Sequence, residues 1–261
     1  MDGLKALNRQ QFGTYAEAYV QSPDHAWSES LDRLVELADP QPHWEVLDVA
    51  TGGGHTALAL APRVRRVIAT DLAPAMVQAA ARHATERGVT NVTFAVADAE
   101  ALPFPDASFD LVTCRVAPHH FPDVARFVRE AVRVVRPGGL VAVIDNVVPE
   151  DRAVAEYVNA FEKVHDPSHH WAYSLDDWTR FFQDAGLTVE WVETFQKERD
   201  LETWARRSGA SNLTLATLRQ LVLEAPPAVQ AWLKPRAEAG HIRFTLTEGL
   251  LMGRRPAAHD D

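Results

Sequence analysis

A short apolar strand that ends in a glycine turn and runs straight into a helix lies near residue 50 of this chain. The strand covers 46–49, the turn contains Gly52 and Gly54, and a helical pattern begins at His55. A parallel strand followed by a tight turn points the unpaired N–H groups of a helix N-terminus at a ligand above the sheet edge. The junction therefore predicts a nucleotide-cofactor site in an α/β sheet.

Predicted strands and helices alternate along most of the chain. This alternation is typical of a parallel sheet with helices on both faces. We expect strands near 45–50, 66–70, 92–96, 109–114, 139–145, 187–196 and 241–252. We expect helices near 55–62, 74–87, 122–135 and 175–185.

The glycine turn alone is compatible with two kinds of cofactor. Gly52-x-Gly54-x-x-Ala57 satisfies the dinucleotide fingerprint, and Asp71, at the end of the second strand, suits a ribose hydroxyl. A carboxylate at Asp48 suits a cationic cofactor and repels a pyrophosphate. An NAD(P)-dependent oxidoreductase is the alternative that this turn leaves open.

Four motifs follow one another in a characteristic order. They are residues 48–54, 71–76, 96–104 and 109–115, the last of which is followed by Arg-Pro-Gly-Gly-Leu at 136–140. In order and spacing they resemble the class I methyltransferases that use S-adenosylmethionine (SAM). Within that class they are similar to the group related to ubiquinone and menaquinone biosynthesis methyltransferases, which carry a methyltransferase type 11 domain. The resemblance implies SAM as cofactor and S-adenosylhomocysteine as product.

The resemblance also implies roles for individual residues. In the family, the residue at Asp71 bonds both ribose hydroxyls, the residue at Leu72 packs on the adenine, and the residue at Asp98 accepts from the adenine amino group. Ala50 stands where the family has the first of three alternating glycines. The implied cofactor-binding set is Tyr19, Asp48, Ala50, Thr51, Gly52, Gly54, Asp71, Leu72, Met76, Asp98, Ala99, Arg115 and His120.

The implied fold is a Rossmann-like, mostly parallel sheet of seven strands in the order 3-2-1-4-5-7-6. We expect an N-terminal helical cap at 1–40 and a SAM-binding core at 41–148. Residues 149–261 would supply the rest of the sheet together with a helical substrate lid, formed by 149–175 and 198–240.

Two clusters of histidines are candidates for a general base. His119 and His120 follow the fourth strand, where ligands of open α/β sheets bind, whereas His165, His169 and His170 lie in the predicted lid. Methyl transfer requires a positioned nucleophile and, where the nucleophile carries a proton, a base such as neutral imidazole. We therefore predict His119 and His120 as catalytic; hydrogen bonding to the backbone, or contact with the cofactor without catalysis, is the alternative. No metal site is expected, because adjacent histidines rarely reach one ion.

The substrate is less constrained than the cofactor. Five of the seven tryptophans lie between residues 171 and 232, which suggests an apolar or aromatic pocket, although packing of the lid explains them equally well. We expect a methyltransferase acting on a small acceptor at oxygen, nitrogen, sulfur or carbon, with a quinol carbon as one specific option. A SAM-binding protein without catalysis is the alternative.

Composition bears on partners and location. The net charge of −10 comes without a basic stripe that could neutralise phosphates, so nucleic acid is not an expected partner. No apolar run reaches the length of a membrane span, and no secretory signal is visible, so we expect a cytoplasmic monomer or homodimer. The single cysteine, Cys114, is expected to pack at a strand end.

Overall fold

The computed structural model describes residues 2–20 and 28–257. The strands are β1 (Glu45–Val49), β2 (Arg66–Asp71), β3 (Val92–Val96), β4 (Phe109–Arg115), β5 (Val135–Val147), β6 (Thr188–Asp200), β7 (Arg236–Glu238) and β8 (His241–Arg254). The helices are α1 (Asp2–Val20), α2 (Glu29–Ala38), α3 (His55–Leu60), α4 (Pro74–Glu86), α5 (Val124–Val134), α6 (Arg152–His165), α7 (Leu175–Asp184), α8 (Leu201–Arg207), α9 (Asn212–Leu223) and α10 (Pro227–Leu233). Short 3₁₀ turns cover Ala61–Arg63 and Pro118–His120.

The sheet confirms the predicted fold class and the order of the main strands. Its order is β3-β2-β1-β4-β5-β8-β6; β1 to β5 pair in parallel, and β8 runs antiparallel between β5 and β6. Parallel pairing brings the carboxyl ends of β1, β2 and β4 to one edge. That edge carries the cofactor motifs.

The predicted number of strands was wrong by one. Within the described residues the sheet has eight strands, because β7 pairs with β8 across a turn in which Ala239 and Gly240 both have positive φ. Two positive φ values in a two-residue loop suit a tight hairpin. The predicted helical stretch 198–240 was also wrong at both ends, since β6 continues to Asp200 and 236–238 form a strand.

The two faces of the sheet carry separate apolar clusters. On one face α2, whose first turn is capped by the Ser28 hydroxyl, buries Leu31 and Leu34 against the strands. On the other face α5 and α7 bury Phe127 and Trp178. Each helix has one apolar stripe, so the sheet is covered on both sides.

A third cluster forms beyond the sheet. Helices α6, α8, α9 and α10 pack with the first half of β8 around Phe161, Trp204 and Phe244. Trp178 and Trp204 are buried in apolar clusters, whereas Trp191 is 39% exposed. Packing thus accounts for these two buried tryptophans. No helix among the described residues is long and apolar enough to cross a membrane.

Candidate active site

An open cavity of about 980 Å³ lies at the carboxyl ends of β1, β2 and β4. Most of the predicted cofactor-binding residues are in its wall. They are Asp48, Ala50, Thr51, Gly52, Asp71, Leu72, Met76, Asp98, Ala99, Arg115 and His120. We call it the cofactor cavity.

Two predicted residues stand apart from this wall. Gly54 caps α3 with φ of 81° and packs behind the turn, where an added Cβ would lie 3.4 Å from Ala80 Cβ. His119 belongs to a neighbouring cavity described below. The side chain of Tyr19 lies outside the described residues.

A buried carboxylate anchors the glycine turn from below. The hydroxyls of Thr51 and Thr113 donate to the Asp48 carboxylate at 2.5 Å and 2.7 Å. Burial raises the pKa of Asp48 to about 6, against the opposing effect of these hydrogen bonds and of Arg115. Ala50 tolerates the position of the first glycine because its φ of 51° lies in the small left-handed region open to L-residues.

A second carboxylate joins this turn to α4. Asp71 accepts the N–H of Gly52 at 3.1 Å on one oxygen and the N–H of Ala73 at 2.9 Å on the other. Burial raises its pKa to about 6 as well. Two carboxylates, the buried Asp48 and the half-buried Asp71, therefore face a cavity that would suit a cationic ligand with hydroxyl donors.

Helix α1 supplies wall residues that the sequence motifs did not reveal. Lys5 Nζ lies 2.6 Å from both the Asp98 and the Glu100 carboxylates. Asn8 donates its Nδ2 hydrogen to the His120 carbonyl at 2.9 Å, and its buried Oδ1 receives no hydrogen bond from a described residue. That orphaned acceptor fits a ligand with hydrogen-bond donors.

A second cavity, with about 640 Å³ of space, adjoins the first. Phe12, Val116 and His120 line both cavities. The remaining wall is mainly polar and comes from β5, β6, β8, α6, α8 and the loops after Val116 and after α6. It consists of His119, Asn146, Glu162, His165, Asp166, His169, Arg199, Trp204, Arg207, Ser208 and Leu246. We call it the acceptor cavity.

His119 is paired with Asp145 at the end of β5. Its Nδ1 lies 2.5 Å from one carboxylate oxygen, and its backbone N–H donates to the other at 2.8 Å. Burial alone would lower the pKa of His119, but Asp145, aided by Glu162 and Asp166, raises it to about 9. The imidazole is therefore held as a cation at neutral pH.

His120 has the opposite character. Its Nδ1 lies 3.1 Å from the Ser168 carbonyl, an arrangement that places the proton on Nδ1 and leaves the lone pair on Nε2. Burial and the adjacent His119 cation lower the pKa of His120 well below its usual range. This ring is neutral at pH 7, so its Nε2 lone pair can accept a hydrogen bond or a proton, whereas the His119 cation has no lone pair to offer.

The three histidines of the predicted lid make different contacts and do not form one site. His165 stacks on Trp204 with ring centroids 3.5 Å apart, and its buried Nδ1 has no partner among the described residues. His169 Nε2 lies 2.8 Å from Asn159 Oδ1, while His170 lines neither cavity. Within the described ranges no group of three or more His, Cys, Asp and Glu side chains is arranged to hold a metal ion.

The comparisons with known proteins agree with this geometry. The family described as "Methyltransferase domain" matches residues 47–143, the segment that forms most of the cofactor cavity. The uncharacterized methyltransferase YcgJ of Bacillus subtilis is 38% identical over 202 residues, which cover 77% of this chain and 80% of that protein. Its crystal structure superposes with a TM-score of 0.84 at 33% identity and covers 88% of this chain and 99% of that one.

A second relative, the demethylmenaquinone methyltransferase of Thermus thermophilus, is 42% identical over 115 residues. That match covers 43% of this chain and 52% of the relative. None of these proteins supports the oxidoreductase alternative. The chain therefore belongs to the methyltransferase-domain family and is a class I SAM-dependent methyltransferase.

Proposed function

We propose that this protein transfers a methyl group from SAM, bound in the cofactor cavity, to a small molecule bound in the acceptor cavity. The observation that carries this proposal is that His120 stands in the wall between the two cavities. A reacting atom at that wall would be close to both ligands. A second cavity that adjoins the first also favours an enzyme over a SAM-binding protein without catalysis.

The cofactor cavity has groups for each part of SAM. We assign the ribose to Asp71, the adenine amino group to Asp98, and the charged methionine end to the region between Asp48 and Arg115. SAM supplies an electrophilic methyl group on a sulfonium centre. Lys5 already contacts Asp98, so its ammonium group has to share that carboxylate with the adenine amino group, or move away from it, when adenine binds.

The lining of the acceptor cavity supports a proposal for the kind of molecule that it takes. Trp204, Phe12 and Leu246 provide apolar surface, in keeping with the predicted apolar or aromatic acceptor. The imidazoles and carboxylates in the same wall suit a molecule that also carries a polar group. We propose an acceptor with one flat apolar part and one reacting polar group beside His120, where Nε2 takes the proton of the nucleophile.

The test is turnover of SAM to S-adenosylhomocysteine with small phenols, thiols, amines and carboxylic acids. With an accepted compound, His120→Gln should lower turnover by about 10²-fold or more, the usual scale for losing a general base. His170→Gln is the matched control, because this imidazole lines neither cavity. SAM affinity, measured by calorimetry, separates lost binding from lost catalysis.

Blocking the acceptor cavity gives an independent test. Ser208→Phe should fill it beside His165 and prevent turnover while SAM still binds. Full activity in both His120→Gln and Ser208→Phe would contradict the proposal. So would the absence of turnover with every acceptor class in a protein that binds SAM.

A further inference from the structure

Three buried ionisable side chains form a row beside the acceptor cavity. Asp145 contacts His119 at 2.5 Å, and the His119 ring lies 4.1 Å from the His120 ring, centroid to centroid. Their relative exposures are 1%, 6% and 7%. Such a row is costly to bury unless each group is paired.

The hydrogen bonds show which atoms of this row can meet a ligand. Both oxygens of Asp145 are engaged by His119, one by Nδ1 and the other by the backbone N–H. Nδ1 is committed to the carboxylate, so Nε2–H is the donor that His119 can offer to the cavity. On His120 the Nδ1 hydrogen is committed to the Ser168 carbonyl, and Nε2 is a lone-pair acceptor.

The other groups around His119 are consistent with a cation there. Glu162 approaches from α6, Asp166 from the loop that follows it, and both favour the charged imidazole. The His169 ring lies 5.4 Å away, and its pKa is lowered by burial and by His119. His119 Nδ1 contacts the Asp145 carboxylate at 2.5 Å, whereas His169 Nδ1 lies 4.0 Å from the buried Glu162 carboxylate.

We infer that the acceptor is methylated on oxygen and belongs to the acidic hydroxyl compounds, phenols or enols, whose oxyanion lies between His119 and His120. The inference rests on the proposed function. A fixed imidazolium donor stabilises a developing oxyanion strongly in a water-poor site. The same cation repels an ammonium group, and a thiolate is a weaker hydrogen-bond acceptor than an oxyanion.

The step balances with the groups in place. His120 Nε2 takes the hydroxyl proton, and His119 donates Nε2–H to the resulting oxyanion. The oxygen forms a bond to the methyl carbon while the methyl–sulfur bond breaks, and that electron pair stays on sulfur. Once the oxygen is methylated its negative charge is gone, so two adjacent imidazolium rings repel, and the proton on His120 passes to solvent.

The probe for this inference is 4-nitrophenol, which ionises near neutral pH and absorbs in the visible only as the phenolate. It is titrated spectrophotometrically into the full-length protein saturated with S-adenosylhomocysteine. We expect the ratio of ionised to neutral probe to rise by about tenfold or more on binding, equivalent to a shift of one pKa unit. Binding as the neutral phenol, or no binding to protein that holds S-adenosylhomocysteine, would overturn the inference.

Variants show whether the row causes the shift. Asp145→Asn and His119→Gln should each abolish it, whereas His170→Gln should leave it unchanged. A purely structural role for Asp145 would alter unfolding without changing the spectrum of the bound probe. An unchanged spectrum in folded Asp145→Asn protein would therefore contradict the inference, and the wild-type titration decides it if these variants do not fold.

Turnover separates this inference from the proposed function. Methylation of 4-nitrophenol, detected as the methyl ether, supports both. Methylation of amines or thiols but not of phenols would leave the proposed function standing and refute the oxygen assignment.

Discussion

The ribose assignment of Asp71 leads to a quantitative prediction for SAM affinity. A carboxylate has about four lone-pair sites. In this structure the N–H groups of Gly52 and Ala73 use one on each oxygen and the N–H of Leu72 uses another, which leaves roughly one for a ribose hydroxyl. Each hydrogen bond to a charged group contributes about 1.5–3 kcal/mol, and the net loss on removing it is smaller where water can hydrogen-bond to the ribose hydroxyl instead.

We expect Asp71→Ala to weaken SAM binding by about 1–3 kcal/mol, equivalent to about 5- to 150-fold in Kd. Asp71→Asn keeps one acceptor oxygen and should lose less. Asp184→Asn is the matched control, since Asp184 is exposed at the end of α7. Titration calorimetry with SAM measures all three, and wild-type affinity in Asp71→Ala would remove this residue from the ribose site.

The pH dependence provides a second measurement on the same residue. The pKa of Asp71 is raised to about 6, and hydroxyl donors bind the ionised form. SAM affinity should therefore fall as pH falls through 6, by up to about tenfold per pH unit. Asp71→Asn should flatten this slope without abolishing it, because Asp48 titrates in the same range. An unchanged slope in Asp71→Asn would refute the reasoning.

Two predictions concern the acceptor side. Burial raises the pKa of Glu162 from 4.5 to about 7, so ionisation of this carboxyl lowers the stability of the folded protein as pH rises from 4.5 to 7. Glu162→Gln should therefore be more stable than wild type by up to about 3 kcal/mol at pH 8, with no gain below about pH 4.5. Urea unfolding across this pH range measures the difference. Equal stability at every pH would contradict this. Trp204 is 6% exposed and stacks on His165, so Trp204→Ala should lower the free energy of unfolding by about 3–5 kcal/mol. Substitution of the exposed Trp191 by Ala should lower it by less than about 1 kcal/mol. Similar urea midpoints for the two alanine variants would show that the third apolar cluster is not held by Trp204.

Local sequence was enough to predict the cofactor cavity. Asp48 and Asp71 each stand at or near the carboxyl end of a short apolar strand, and such ends necessarily meet at one edge of a parallel sheet. Gly54 shows the limit of that reasoning, because a motif position does not reveal which atoms face the ligand. Its place behind the turn depends on how α4 packs against it.

The acceptor cavity required the tertiary structure. Asn146, Glu162 and Arg207 are far apart in the chain and carry no joint spacing signal. They line one cavity because α6 and α8 dock on the outer half of the sheet. His119 and His120 are adjacent in sequence, and the sequence predicts both as catalytic. The fold gives one a carboxylate and the other a carbonyl, so one is a cation and the other a neutral base.

The sequence by itself thus determined the class of fold, the strand that carries the glycine turn and the sheet edge that carries the cofactor motifs, because these depend on residues close together along parallel strands. The tertiary structure alone decided the protonation of the two histidines, the contact of Lys5 with Asp98 and the shape of the acceptor cavity. Those properties depend on burial and on charges contributed by distant segments, which no local pattern encodes.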